Sequence, residues 1–288
     1  MINLYSIIGL IITSILSIIF LNNFAKKFGI FDMPQKLRIH KEKVTKASGF
    51  GIIFIIINSF FIFNYSDEVN YSLNILIFFV LIGFYDDIKG FEASSKIILM
   101  IIPTILFIYG AGLVTTLGQY KNFSLELNSL SILFTFCCIL LLTNAFNYID
   151  GMDGLLGTIS LTSLLFFIIV LPNSEINFIA PFIIFLSIFL FFNLRLIRSL
   201  SKVFMGDSGS LGIGFLFCII VIHYTQNLNY IHESVAIWPI AFVVYEFLTI
   251  NIIRIKNKKN PFKRDLNFIF NKFLRRYTKL KTLILCNL

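Results

Sequence analysis

Apolar residues come in long blocks along this chain, near 3–21, 49–65, 72–86, 97–113, 129–147, 156–172, 176–194, 210–226 and 235–253, with most polar and charged residues in the links between them. Most blocks approach the ~20 residues that a helix needs to cross a bilayer. The pattern predicts an all-α fold, a polytopic transmembrane helical bundle of about nine spans, in which the short third and fourth blocks are the weakest. An odd number of spans places the two ends of the chain on opposite sides.

Composition agrees with this reading: 57% of residues are hydrophobic, 14% are charged, 35 are Phe, and the mean hydropathy is +0.87. These values lie outside the soluble globular range. A net charge of +9 would point to nucleic acid in a soluble protein, but in a membrane protein the sidedness of the basic residues is what counts. With the N-terminus out and the C-terminus in, every Lys and Arg except Lys121 falls on the cytoplasmic side, as the positive-inside rule requires. Residues 1–253 then form the transmembrane domain and 254–288 a basic cytoplasmic segment, and no nucleic-acid partner is expected. The first block is too long for a cleaved signal peptide. Cys137, Cys138 and Cys218 lie inside apolar blocks and Cys286 near the end, without metal-ligand spacing.

The same topology sorts the acids. Asp86 and Asp87 end the third block, Asp150 and Asp153 follow the fifth, and Asp207 precedes the eighth, so all five reach the cytoplasmic face from three separate links. Converging carboxylates suit a hard divalent cation, which takes oxygen ligands and completes its shell with phosphates. In TNAFNYIDGMDGLLG, Asn144, Asn147, Asp150 and Asp153 recur every three residues, a spacing that would set two amides and two carboxylates on one helix face. Turn formation by Asp150-Gly151 and Asp153-Gly154 is the plainer alternative.

Three further segments carry candidate chemistry. GFYDDIKG (83–90) holds adjacent acids that need a cation or strong donors nearby. FMGDSGSLGIG (204–214) sets Asp207 between glycines with Ser208 and Ser210 at the start of a block, so that Gly206 and Ser208 are positioned either to bind phosphate or to cap a helix. The basic link 32–51 contains Arg38 and His40, and Asn193 ends the seventh block as a lone amide.

GFYDDIKG, NAFNYIDGMDGLLG, FFN and FMGDSGSLGIG, in this order, resemble the motifs of the polyprenyl-phosphate N-acetylhexosamine-1-phosphate transferases, over about 32–265. The resemblance implies transfer of a sugar 1-phosphate from a UDP-sugar to undecaprenyl phosphate with release of UMP, dependent on Mg²⁺ or Mn²⁺. Such an enzyme would start a lipid-linked surface polysaccharide or cell-wall precursor at the inner membrane of a bacterium. The lipid bilayer is a further partner, and a homodimer is left open. The resemblance also implies roles: Asp86, Asp87, Asp150 and Asp153 in catalysis, Asp207 and Asp150 as metal ligands, and Arg38, His40, Lys96, Asn144, Asn147, Asn193, Gly206 and Ser208 in substrate binding.

The sequence departs from the family near its end. The family's histidine positions read Phe268, Ile269, Phe270 and Asn271, and Glu246 stands for an aspartate. Arg264 is the candidate to supply the lost cationic contact, since a guanidinium fork suits phosphate. The missing histidines keep a second reading open, a paralogue that binds lipid or nucleotide-sugar without turnover. A transporter is the third reading, weakened by the acids lying at one interface and by the absence of repeats.

Overall fold

The computed structural model describes residues 3–33, 42–197, 199–260 and 267–287. Among the described residues, seven helical segments are long and apolar enough to cross a membrane: Leu4–Phe28, Asp67–Lys89, Ala93–Gly110, Asn128–Ile149, Asn173–Asn193, Gly206–Asn227 and Glu233–Lys256. The chain is a multi-pass membrane protein. Ser48–Ile62 and Leu155–Val170 are also apolar but shorter. At about 1.5 Å per residue they fall short of a ~30 Å hydrocarbon layer.

The expectation for the weak blocks is therefore reversed, for a local reason. The third block gains length because Ser66 caps a helix that starts in the polar run at Asp67, its side chain accepting from the Val69 amide. At the other end Gly90, at φ 72°, closes the helix after Lys89 by donating to the Asp86 carbonyl. The all-α expectation also needs amendment, because among the described residues two small antiparallel sheets join the helices. One pairs Phe31–Asp32 (β1) with Val44–Thr45 (β2), and the other pairs Thr116–Tyr120 (β3) with Phe123–Glu126 (β4).

The main helices are α1 (Leu4–Phe28), α2 (Gly51–Ile62), α3 (Asp67–Lys89), α4 (Ala93–Gly110), α5 (Ser131–Ile149), α6 (Leu155–Val170), α7 (Ile176–Asn193) and α8 (Gly206–Ile222). They are followed by α9 (Glu233–Ile237), α10 (Ala241–Lys256), α11 (Ile269–Leu274) and α12 (Lys279–Asn287). The bundle is built around α8, which is buried along almost its whole length. Its sequence explains this: GDSGSLGIGF places small residues where neighbouring backbones must approach, the usual basis of helix packing in lipid. A Cβ on Gly83 of α3 would overlap the Asp207 backbone, and one on Gly214 would meet the Thr143 Cα of α5 at 2.7 Å. Further along, Phe215 stacks on Phe79 at 4.0 Å and Phe217 on Phe146 at 4.9 Å. Close approach at the glycines thus packs α3 and α5 tightly against α8, and the aromatic pairs extend those contacts.

The segment before α8 is held by the link after α1. Thr45 bridges Val203, the Phe204 amide donates to the Thr45 carbonyl at 2.8 Å, and the Gly49 amide donates to the Met205 carbonyl at 2.9 Å. At the other end of the bundle, a π-helical turn (His223–Asn227) ends the α8 segment, and Asn227 donates to the Ala111 carbonyl after α4 and to Glu68 in α3. The C-terminal α12 packs on α6, with Asn287 bonded to Thr158 and Thr162.

Candidate functional site

The C-terminal ends of α3, α5 and α10 and the N-terminal ends of α4 and α8 meet at one end of the bundle around a cavity of about 500 Å³. On one side of it Lys96, in the first turn of α4, reaches both Asp86 of α3 and Asp207 of α8, its ammonium bonded to an Oδ2 of each. Lys96 and Asp86 are buried, whereas the Asp207 side chain is 27% exposed, so Asp207 is the acid of this trio most open to the cavity. The Asp86 Oδ1 also accepts from the Phe91 amide at 2.5 Å, which holds it toward the start of α4. A single cation shared by two carboxylates shows that these oxygens can jointly hold positive charge. An oxygen-only set with two carboxylates fits Mg²⁺, which leaves remaining positions to water and phosphate. Among the described residues no three His, Cys, Asp or Glu side chains form a closed metal cage.

Asp87 faces elsewhere. Its side chain is fully buried, its Oδ1 accepts from the Asp207 amide and its Oδ2 from the Ser208 amide, both at 3.0 Å, with the Lys46 ammonium 3.6 Å from Oδ1. Asn144 and Asn147 do line the cavity. Asn144 donates back to the Leu140 carbonyl at 2.7 Å, and Asn147 donates to Ser210 at 2.8 Å. Ser208 is buried and Gly206 adopts φ 75°.

The shared helix face expected for Asn144, Asn147, Asp150 and Asp153 stops halfway. Helix α5 ends at Ile149, and Asp150 is its C-cap at φ −74°, ψ 56°, because the Asp-Gly dipeptides that follow favour turns. Asp153 consequently lies in a second cavity of about 290 Å³ with Asn193, Lys202 and Lys279. Its Oδ2 accepts from Lys202 at 2.7 Å and also from Lys279. Burial alone would raise its pKa, but these two ammonium groups hold it below the ordinary carboxylate value. Asn193 is buried with both ends of its amide on backbone, accepting from Gly154 at 2.6 Å and donating to the Val203 carbonyl at 2.8 Å. It ties the α5–α6 turn to the segment leading into α8.

The sequence model of the family described as "Glycosyl transferase family 4" matches residues 69–225, the part that carries the trio and both asparagines. The chain belongs to glycosyl transferase family 4. It is 27% identical to the undecaprenyl-phosphate alpha-N-acetylglucosaminyl 1-phosphate transferase of Escherichia coli K12, over 93% of this chain and 76% of that protein. The protein of the same name from Thermotoga maritima is 29% identical, over 97% of this chain and 83% of its own length. The Yersinia pestis protein is 27% identical, over 87% and 71% respectively.

Within this family 4 chain, several cavity residues were not anticipated as site residues. Lys46 lines the cavity, as do Arg254 at the end of α10, Tyr148 and Phe268. The buried Arg254 guanidinium lies 5.4 Å from the Tyr148 ring centroid and 5.8 Å from that of Phe268. Lys46 and Arg254 count in the sequence as topology-setting charges. Phe268 stands out there only as a position where the family has histidine. Glu246 explains how it arrives: its Oε1 accepts from the Ile269 amide at 2.5 Å, pinning the segment beside the cavity. Arg38, His40 and Arg264 lie outside the described residues.

Proposed function

We propose that the chain transfers N-acetylhexosamine 1-phosphate from a UDP-sugar to undecaprenyl phosphate, releasing UMP, at the cytoplasmic face of a bacterial inner membrane. The relatives' names support undecaprenyl phosphate as acceptor and make GlcNAc the first sugar to test. The observation that carries the reading is the Asp86–Lys96–Asp207 trio at the wall of a cavity that also has an apolar side, formed by Ile97, Leu140, Leu141 and Phe247 of α4, α5 and α10. A polyprenyl chain would pass along that apolar side and a diphosphate would meet the charged one.

In this scheme an oxygen of the lipid phosphate attacks the sugar-side phosphorus of the donor. A P–O bond forms to the lipid phosphate, the bond to the bridging oxygen breaks, and UMP leaves with the electron pair. Asp86, the acid of its pair that faces the cavity, takes the proton of the lipid phosphate. Asp207 would hold Mg²⁺ or Mn²⁺, which would supply positive charge to the diphosphate and the leaving UMP. Lys96 keeps the two carboxylates together at rest and offers its ammonium to a phosphate oxygen when the donor binds. Arg254, fixed between two rings, is placed for a second phosphate contact. Phosphoryl transfer asks for little beyond such positioning and charge.

Nine crossings, with the N-terminus outside and the C-terminus inside, accommodate this scheme if Ser48–Ile62 and Leu155–Val170 cross as short helices in a locally thinned bilayer. The test is UMP release by the purified protein with undecaprenyl phosphate, Mg²⁺ and a panel of UDP-N-acetylhexosamines. Lipid-dependent release that Asp207→Ala abolishes supports the reading. Donor binding without release from any member of the panel refutes it and favours the binding paralogue.

A further inference from the structure

Asp86 and Asp87 are neighbours in the last turn of α3, about 100° apart around the helix axis, and they have different surroundings. Asp86 lines the cavity with Lys96, whereas Asp87 is absent from the described lining. Both Asp87 oxygens are engaged by the backbone amides that open α8, those of Asp207 and Ser208. Helix α8 has no side-chain cap of its own, since Met205 precedes it. The amides of a first turn have no partners within their helix and must find them elsewhere. Here the partner is a carboxylate lent by another helix, and its negative charge also suits the positive end of the α8 dipole.

The surrounding sequence makes room for that carboxylate. A Cβ on Gly206 would lie 2.5 Å from Asp87 Oδ2 and 2.8 Å from the Lys46 carbonyl, and the φ of 75° at Gly206 turns the chain so that both amides point at Asp87. Lys46, 3.6 Å from Oδ1, supplies a counter-charge on the cavity side. A carboxylate has about four acceptor sites; two are used by the amides and a third faces Lys46.

We propose that Asp87 is a positioning residue that clamps the first turn of α8 and so aims the Asp207 carboxylate into the cavity, leaving Asp86 as the only member of the acidic pair that meets substrate. The catalytic half of this inference rests on the function proposed above, while the clamp itself does not.

The experiment compares wild type, Asp87→Asn and Asp87→Ala in detergent. An asparagine can still accept one of the two N–H groups but is no proton acceptor, and alanine can do neither. Amide exchange by mass spectrometry over 205–210 should be at least tenfold faster in Asp87→Ala and intermediate in Asp87→Asn, with distant helices unchanged. Asp87→Asn should keep at least tenfold more activity than Asp87→Ala, and its half-saturating Mg²⁺ concentration should rise threefold or more, which a general loss of folded protein would not cause. Equal loss of activity in the two variants overturns the proposal in favour of a proton-accepting Asp87. An unmoved Mg²⁺ dependence overturns it in favour of a scaffold role. Should Asp87→Ala not fold, Asp87→Asn decides by its amide exchange over 205–210 and its Mg²⁺ dependence, each compared with wild type. Should wild type be inactive with every donor, the function fails separately, and unchanged exchange over 205–210 would still sink the clamp.

Discussion

Lys96 donates to Asp207 across the junction of α4 and α8, and the same ammonium reaches Asp86 in α3. Two consecutive helices, α3 and α4, are thus joined to the sequence-distant α8 by one buried charge. Removing a partner from a buried ion pair costs about 3–5 kcal/mol, because the charges left behind remain desolvated. Lys96→Met should therefore lower the melting temperature in detergent and cut UMP release by about a hundredfold or more, the usual scale for losing a charge aimed at a reaction centre. Lys96→Arg should recover stability in part and activity less, since a planar fork does not replace a compact ammonium between two carboxylates. Full activity in Lys96→Met would remove the trio from the mechanism.

Gly83 and Gly29 offer a paired test of how tightly the site is assembled. At Gly83 a Cβ would run into the Asp207 carbonyl, whereas at Gly29, with φ 74°, it would meet nothing within 4 Å. Gly29→Ala should cost about 1–2 kcal/mol from its left-handed backbone and leave turnover unchanged. Gly83→Ala should cost about 1–3 kcal/mol of overpacking and, by pushing α3 from α8, also reduce turnover more than tenfold. Thermal unfolding and UMP release on the two variants separate the effects.

The positions of the helices were legible in the apolar blocks, and the meeting of Asp86, Asp87 and Asp207 in the placement of acids at the ends of those blocks. What escaped was anything decided by contact between distant segments. The three-residue spacing from Asn144 to Asp153 looks like one helix face, yet the chain turns at Asp150, and Asp153 ends in a different cavity. Lys46 and Arg254 were indistinguishable from the other basic residues of their links until β2 and α10 carried them to the cavity. Asn193 reads as a lone amide at the end of a block, and its bonds to the backbone of Gly154 and Val203 join segments that the linear sequence does not pair. Hydropathy records burial along the chain, while such pairings depend on packing across it.

The ion pairs of Asp153 couple the C-terminal helix to pH. Lys279 opens α12, and its bond to Asp153 docks that helix beside α6 together with Asn287. Because the folded-state pKa of Asp153 is depressed, its contribution is fully present above the ordinary carboxylate value of about 4 and is lost as the pH falls through the folded value. A spin label on Leu280→Cys, in a background without native cysteines, should be restricted at pH 7 and become more mobile as the pH falls from about 4 through the depressed folded-state value of Asp153. Asp153→Asn should be mobile across the whole range. A label that stays immobile in Asp153→Asn would show that α12 is held by its apolar contacts alone.

Phe268 occupies the cavity wall where the family has histidine, with the Arg254 guanidinium 5.8 Å from its ring centroid. A cation–π contact contributes about 0.5–2 kcal/mol. If the pair orients Arg254 toward the donor, Phe268→Ala should raise the KM for the UDP-sugar about two- to thirtyfold with a smaller change in kcat. Phe268→His restores the family residue but changes its chemistry. Near pH 8 the neutral ring can stack on Arg254 and accept or donate a hydrogen bond, so activity should approach that of the wild type. Burial and the adjacent guanidinium both hold the pKa of this ring below the ordinary value of about 6.5, so the ring should protonate only toward about pH 5, where two adjacent cations should repel and raise KM again. Wild type, having no titrating group at this position, should lack that change. KM measured for each variant at both pH values tests the pairing, and identical profiles for Phe268→His and wild type would show that Phe268 packs the wall without touching the work of Arg254.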